Sequence, residues 1–364
     1  MTPLYVDLER EWRGGQSQAF LTLRGLRARG HAVELVAARG GALASRAAAE
    51  GISVHAVGPR ARRAQAALLL RRLLTRRSFD LLHANEPHAL TAAWLAGAHR
   101  RLPLVVSRRV AYPLGGNPLA LARYRSARRI LAISRFVAES VLASGIPRER
   151  VEIVYEGVDV PPEITPEVRT RARRHWRIGE HEWLLGSVGY LLPEKGHEFL
   201  LRAMPALRAE FPACRLLLAG DGPCRQRLEA LARELGVEAA VIFAGFVEDV
   251  PLVYAALDAF VFPSLAEPLG TSLLAAMAYG LSVVAVARGG VPEYVEDSRN
   301  GLLVPEPDPP AIAAAVARVL REGELARRWA RAARETIVRR FSAGQMADNT
   351  LCVYEKLRAR AARP

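Results

Sequence analysis

One carboxylate, Glu267, stands in a Pro/Gly turn of FPSLAEPLGTSLLAAMAYG, three residues ahead of a helical pattern that opens with Gly270, Thr271 and Ser272. The free N–H groups of a helix's first turn, helped by two hydroxyls, form an anion site. A carboxylate beside that site repels the anion, so it suits hydroxyl or cationic groups elsewhere on the same ligand. Phosphate at one end and hydroxyls at the other describe a sugar nucleotide. Lys195, in GYLLPEKGH, follows an apolar strand pattern and precedes a helix. Lys195 and Lys356 are the only lysines in a chain whose Lys and Arg total 51, and a compact ammonium just past a parallel strand is placed to meet phosphate.

Other candidates sit at similar junctions. Gly14 and Gly15, in EWRGGQSQAF, separate the first strand pattern from the first helix; adjacent glycines let backbone approach a ligand, or close a tight turn. His83, Asn85, Glu86 and His88 cluster in LLHANEPHAL at a strand end. There His83 reads as a buried, hydrogen-bonded residue, and Asn85 cannot serve as a general base. Arg108 and Arg109 follow LPLVVS and precede the turn-rich AYPLGGNPLA; such a pair grips carboxylate or phosphate bidentately, or is solvated charge. GDGP (Gly220 to Pro223) and FAGFVED (Phe243 to Asp249) follow strands of the second half, as strand-end turns at the least. Asp-x-Asp, Gly-x4-Gly-Lys-[Ser/Thr], His-Glu-x2-His and Gly-x-Ser-x-Gly do not occur, so no metal-bridged diphosphate, P-loop, zinc-protease or serine-hydrolase chemistry is supported.

These residues need strands that end where they begin. Apolar runs at Leu4 to Val6, Val33 to Ala37, Val54 to Val57, Leu81 to His83, Leu104 to Ser107, Ile130 to Ile133 and Val151 to Val154 alternate with helical patterns. That alternation predicts a parallel, doubly wound α/β sheet. GVDVPPEITP (Gly157 to Pro166), with three prolines, reads as a linker. The pattern restarts with strands at Leu184 to Tyr190, Arg215 to Gly220, Val241 to Phe246, Ala259 to Pro263 and Ser282 to Val286. Helices are expected at His197 to Phe211, Cys224 to Leu235, Thr271 to Tyr279, Pro310 to Glu322 and Gly344 to Arg360.

At 364 residues, 51% of them hydrophobic, the chain can pack about two cores of ordinary domain size. Three cysteines, odd in number and without ligand spacing, fit a reducing compartment. The start MTPLYVDLEREW lacks a signal-peptide pattern, and no apolar run approaches membrane-spanning length, so a cytoplasmic protein is expected. The formal charge of +14 is carried almost wholly by arginine. It follows from genomic base composition or from a basic surface. RARRAQAALLLRRLLTRR (Arg60 to Arg77) sets Leu69, Leu70, Leu73 and Leu74 at helical spacing between arginine pairs. Such a helix lies on the protein's own sheet or on anionic lipid at the inner face of the plasma membrane. No aromatic-rich motif accompanies the charge, so nucleic acid is not an expected partner.

The stretch from Glu267 resembles the donor motif of retaining family 4 glycosyltransferases, Glu-x-Phe-Gly-x4-Glu-Ala-Met-Ala-x-Gly followed by a strand and Gly-Gly-x-Pro-Glu. Glu267, Gly270, Ala276, Met277, Ala278, Gly280 and Gly289 to Glu293 match, while Leu269 replaces Phe and Ala275 replaces the second Glu. Lys195 and Gly196 match the family's phosphate-binding turn, with Tyr190 at its usual arginine. Gly14 and Gly15, with Trp12 and Arg13, resemble the family's WRGG loop. The resemblance implies a GT-B fold, two Rossmann-like doubly wound domains facing across a cleft. An acceptor-side domain would take residues 1–160, a donor domain 161–343, and a C-terminal helix, 344–364, would cross back to the first. It further implies Glu267 and Lys195 as catalytic residues. Donor contacts would come from Gly14, Gly15, Gly220, Gly222, Phe246, Val247, Leu269, Gly270, Thr271 and Ser272, and Trp12, Arg13, His83, Asn85, Arg108 and Arg109 would face the acceptor or cleft.

The expected activity is sugar transfer from a nucleoside-diphosphate sugar to a cell-envelope glycan or lipid-linked acceptor, with no metal and no permanently bound cofactor. A nucleotide-sugar epimerase of the same architecture, or a degenerate partner subunit suggested by Ala275 and Tyr190, is the alternative.

Overall fold

In the computed structural model the seven apolar runs of the first half form β1 (Pro3–Asp7), β2 (Glu34–Ala38), β3 (Ser53–Val57), β4 (Leu81–Ala84), β5 (Leu104–Arg108), β6 (Arg129–Ala132) and β7 (Val151–Ile153). Residues 1–114 and 117–361 are described; positions 115 and 116 of AYPLGGNPLA and the last three residues of the C-terminal segment lie outside the described residues. The second half forms β8 (Trp183–Val188), β9 (Cys214–Ala219), β10 (Val241–Gly245), β11 (Ala259–Phe262), β12 (Ser282–Val286) and β13 (Leu302–Val304). The chain divides into two units, Met1–Gly157 joined by the segment from Phe341 onward, and Val158–Arg340.

Both sheets are parallel, ordered β3-β2-β1-β4-β5-β6-β7 and β10-β9-β8-β11-β12-β13. Every residue of β1, β2, β4, β5, β6, β11 and β12 is buried, as a sheet covered by helices on both faces requires. The chain winds outward from β1 to β3, then returns to place β4 beside β1; β8 to β10 and β11 repeat the move. At such a reversal the loops leave toward opposite faces, opening a crevice at the strands' carboxyl ends.

Expected strands and observed strands agree within two residues. Not expected were β13, three residues long, and the helices Pro166–His175, Val250–Ala256 and Gly323–Arg340. Pro166–His175 reads PEVRTRARRH and buries only Ala172, so it has no apolar stripe to detect. Charge seats it instead: Arg169 and Arg173 both donate to Asp258, at 2.6 and 3.0 Å.

The C-terminal helix Ala343–Ala361 packs on the helix Gly14–Ala28 of the first unit. Met346, Ala347, Thr350, Val353, Tyr354 and Leu357 recur on one face and are all buried. Close approach demands a small partner, since a Cβ on Gly25 would fall 2.5 Å from that of Ala347. The basic segment forms the helix Arg62–Arg76, with Ala66, Ala67, Leu70 and Leu73 buried. Its apolar stripe is thus spent largely on the protein's own fold, leaving Arg63, Arg71, Arg72 and Arg76 exposed together with Leu68. No described helix is long and apolar enough to cross a membrane.

Tyr354 is fully buried and its hydroxyl meets Nδ1 of His83, whose Nε2 lies 2.8 Å from Ser107 Oγ. Tyr354→Phe therefore strands one nitrogen of a buried imidazole and is expected to cost about 1–3 kcal/mol. Urea unfolding of the two proteins measures this; a loss under about 0.5 kcal/mol would show that the His83 nitrogen is satisfied otherwise.

Candidate functional site

Glu267 and Lys195 meet at the reversal of the second sheet. Lys195 ends the turn Pro193–Lys195 after β8, Glu267 lies in the loop after β11, and these strands are neighbours. Lys195 Nζ donates to Glu267 Oε2 at 2.6 Å. Ser264 Oγ lies 3.2 Å from the same oxygen and 3.2 Å from the Glu194 carbonyl, holding the loop after β11 against the turn after β8. Glu267 is 7% exposed, so this carboxylate keeps its orientation while the ammonium, more open, can turn to a ligand.

Backbone fixes the carboxylate's position. The Glu267 carbonyl accepts the Gly290 N–H at 2.9 Å. Gly289, at φ 59°, passes so near that a Cβ would stand 1.9 Å from that carbonyl oxygen, a place open only to glycine. Tyr294 donates its hydroxyl to the Leu269 carbonyl at 2.7 Å. Burial, with the Glu267 and Glu293 charges behind it, pushes the Tyr294 phenol well above its ordinary pKa, so it stays a donor.

The helix Thr271–Ala278 begins beside Glu267 with Gly270 at φ 98°, no side-chain cap and no acidic residue in its first turn. Its first-turn N–H groups are therefore left without a side-chain acceptor, the condition under which a helix start can take an anion. Thr271 and Ser272 are half-buried at this start, whereas the Leu269 side chain is fully buried and can offer a ligand only backbone. Along the same sheet edge, Gly220 (φ 150°) would put a Cβ 1.9 Å from the Gly189 carbonyl, and Gly222 follows in the turn. Phe246, 77% exposed after β10, Val247 beside it and Tyr190 after β8 leave two aromatic faces open at that edge, suited to stacking on a planar ring.

In the first unit the corresponding reversal is filled by polar side chains. Asp7 accepts from Asn85 Nδ2 at 2.6 Å and Gln16 Nε2 at 3.0 Å, and Tyr5 donates to Asn85 Oδ1 at 2.9 Å. Burial raises the Asp7 pKa, and these hydrogen bonds pull it back. Gly14 and Gly15 open the helix above, with Arg109 Cδ 3.8 Å from a Gly15 Cβ. Arg109 binds Glu156 at 2.8 Å and the Asn85 carbonyl at 2.7 Å. Trp12 packs on Phe20 with the Arg46 guanidinium 4.2 Å above its ring, and Arg13 pairs with Glu11.

Of the residues named for an acceptor or cleft, Asn85 and Arg108 are instead interior, and His83 is the buried, hydrogen-bonded strand-end residue that its position suggested. His83 is 1% exposed with both ring nitrogens engaged, and burial holds its pKa well below the ordinary value. Asn85 is spent on Asp7 and Tyr5. Arg108 turns inward onto the Tyr112 and Tyr124 rings, 4.7 and 5.5 Å away, so Arg108 and Arg109 diverge and form no common fork. Hydrophobic strands on either side bury whatever stands at their inward-pointing positions. Sequence reasoning missed Ser264, Tyr294, Asp7 and Gln16; Ser264, three residues before Glu267, had a signal in its spacing alone.

Glu9, Glu86 and His88 bring ligating atoms within 4.8 Å of one another. Glu86, however, caps the helix Pro87–Leu95 and accepts the N–H groups of Leu8, His88 and Ala89. Burial, then the Asp7 charge, pushes its pKa up to about 7.

The sequence model of the family described as Glycosyl transferases group 1 matches residues 168–336, and that of Glycosyltransferase Family 4 matches residues 12–161. LpsE of Rhizobium meliloti, a lipopolysaccharide core biosynthesis glycosyltransferase, is 30% identical over 282 residues, 77% of this chain and 80% of that protein. The chain belongs to glycosyltransferase family 4. A GDP-mannose-dependent α-(1-6)-phosphatidylinositol monomannoside mannosyltransferase of Mycolicibacterium smegmatis is 31% identical over 261 residues, 65% of this chain but only 66% of that protein, so the match spans just under two thirds of this relative's length. Anabaena HepE, solved with UDP and glucose, shares the fold at TM-score 0.86 and 22% identity over 98% of this chain and 99% of that one. Both units of this family 4 protein are Rossmann-like and the fold is GT-B.

His197 opens the helix behind Lys195, buried, with its pKa pushed down to about 4 by burial and then by the Lys195 charge. Unfolded, it binds a proton near pH 6.5. Its contribution to the stability of this family 4 protein is therefore whole above pH 6.5 and is lost toward pH 4, by at most about 1.4 kcal/mol per pH unit. His197→Gln should flatten this slope relative to the parent in urea midpoints measured from pH 7.5 to 4.5; parallel curves would show that His197 does not titrate on unfolding.

Proposed function

We propose that this chain transfers a sugar from a nucleoside-diphosphate sugar to a glycan or lipid-linked acceptor of the cell envelope, with retention at the anomeric carbon and without a metal. The observation that carries the reading is the Lys195–Glu267 pair at the sheet reversal beside the uncapped helix start at Thr271. In this reading the second unit takes the donor and the first the acceptor. HepE with UDP and glucose supports a nucleotide donor, and LpsE and the mycobacterial mannosyltransferase support an envelope acceptor.

Diphosphate entering the site competes with Glu267 for Lys195 and lies against the first-turn N–H groups, while Glu267 accepts from sugar hydroxyls. Negative charge that develops on the leaving phosphate meets a cation and oriented dipoles already in place. His83 is interior and Asn85 is not a base, so the reading assigns proton removal to the leaving group. The acceptor oxygen bonds to the anomeric carbon, the bond from that carbon to the phosphate oxygen breaks on the same face, and the acceptor proton passes to the phosphate. Ala275, on the helix Thr271–Ala278, offers no carboxylate to a ribose, so nucleotide choice falls to backbone and to Phe246 and Tyr190.

Glu267→Gln keeps volume but loses charge-assisted hydrogen bonds, and turnover should fall about 10- to 100-fold with the unfolding curve unchanged. Undiminished turnover would remove Glu267 from the chemistry. Lys195→Ala should weaken binding of a nucleoside diphosphate more than of the monophosphate by calorimetry; equal losses would deny Lys195 its diphosphate role. Turnover that persists in a chelator, and a product whose anomeric configuration by NMR matches the donor's, would test the remaining two terms.

A further inference from the structure

A pocket of about 340 Å³ lies at the edge of the first sheet opposite its crevice, where β5, β6 and β7 begin rather than end. Three connections and the C-terminal helix wall it. The turn Ala98–Arg100 supplies His99 and Arg100, the segment ahead of β6 supplies Arg125 and Arg128, the turn Arg148–Arg150 supplies Arg150, and the C-terminal helix supplies Leu357. No lining residue is acidic. Arginines around a space roughly 9 Å across stand about one screening length apart in physiological salt, so their repulsion is only partly damped. Among the described residues none of the four meets a carboxylate. Arg125 donates to the Gly145 carbonyl at 3.2 Å and Arg150 to the Arg125 carbonyl, while the side chains of Arg100 and Arg128 make no hydrogen bond there. Elsewhere in the unit arginine does find acid: Arg77 meets Glu34, Arg109 meets Glu156, and Arg129, next in sequence to Arg128, meets Glu152 at 3.6 Å. The pocket thus gathers positive charge that the fold leaves uncompensated.

His99 adds a neutral group. Burial, then the Arg100 charge, lowers its pKa, so the ring is uncharged at neutral pH. Its Nδ1 is buried without a partner, and a proton there would be an orphaned donor. The proton therefore belongs on Nε2, the nitrogen left for a ligand. Guanidinium groups take phosphoryl oxygens in pairs, and at about 30 Å³ per water the volume equals roughly ten waters, room for two linked phosphoryl groups with part of their hydration.

We propose that this pocket binds a diphosphate group, with Arg100, Arg128 and Arg150 on its oxygens and the His99 Nε2–H as a further donor. Lys195 and Glu267 belong to the other unit, so this is a second anion site, and it does not rest on the transferase reading. The ligand would join the connections ahead of β5, β6 and β7 beside the C-terminal helix, and its binding stabilises the folded chain by mass action.

The test uses the full chain carrying Lys195→Ala, which removes the cation proposed for the donor diphosphate, titrated calorimetrically with inorganic pyrophosphate, ADP and inorganic phosphate. Pyrophosphate should bind at one site per chain, at least about tenfold tighter than phosphate. Adding Arg100→Gln/Arg128→Gln should weaken pyrophosphate about 100-fold, tenfold for each guanidinium lost. Adding Arg327→Gln/Arg328→Gln instead, which removes equal charge from exposed positions of the helix Gly323–Arg340, should leave it within about threefold. Because the Arg100 and Arg128 side chains hold no other described residue, the urea midpoint without ligand should not move on their replacement. Saturating pyrophosphate should raise the midpoint of the Lys195→Ala protein and not that of the protein that also lacks these two arginines. ADP that binds as tightly as pyrophosphate and is lost with the same two arginines would name a nucleotide as the source, and ADP excluded would name the inorganic anion; either keeps the diphosphate. Phosphate binding as tightly as pyrophosphate, equal losses in the two arginine variants, or no pyrophosphate binding overturns the proposal.

Discussion

The position of Glu267 depends on a single backbone contact. Its carbonyl is gripped by the Gly290 N–H, and Gly289 passes at a distance that no side chain permits. That contact ties the loop after β11 to the loop after β12, so the carboxylate stands at the sheet reversal instead of relaxing toward solvent. Ser264 and Lys195 then reach it from the other side. The carboxylate is thereby held in one orientation, while the more open ammonium of Lys195 is the part of the pair able to turn. Tyr294 secures the next residue pair by the same logic, donating from a fully buried phenol to the Leu269 carbonyl.

The two units answer one topological problem in opposite ways. Each sheet reverses its strand order and so opens a crevice at the carboxyl ends. In the second unit that place holds a partly open cation, a carboxylate and a bare helix start. In the first it is closed by Tyr5, Asp7, Gln16 and Asn85, whose hydrogen bonds offset the burial of a carboxylate. Two crevices of one topology thus differ in their side-chain chemistry.

Arginine serves several separate ends. Arg169 and Arg173 clamp an otherwise featureless helix onto Asp258, Arg108 is packed between tyrosines, and Arg29 fastens the C-terminal helix through Asp348 at 2.6 Å. Net charge alone did not foretell any of these, because a charge count is blind to where the carboxylates lie.

Hydrophobic alternation by itself determined the two doubly wound sheets, since strands buried on both faces must be apolar runs separated by helices. It failed at β13, too short to show a period, and at Pro166–His175, held by ion pairs instead of an apolar stripe. For the candidate site, the sequence alone marked Glu267, Lys195 and the glycine-led helix start, because a helix start and an ammonium suit an anion and a carboxylate beside them suits hydroxyls. Tertiary structure decided what spacing cannot carry. It brought Lys195 to Glu267 across 72 positions and recruited Ser264 and Tyr294. It also withdrew Asn85 and Arg108 into the interior. Which face of a strand a side chain takes, and which loop lies beside it, are set by neighbours distant in the chain, and a linear sequence does not contain that adjacency.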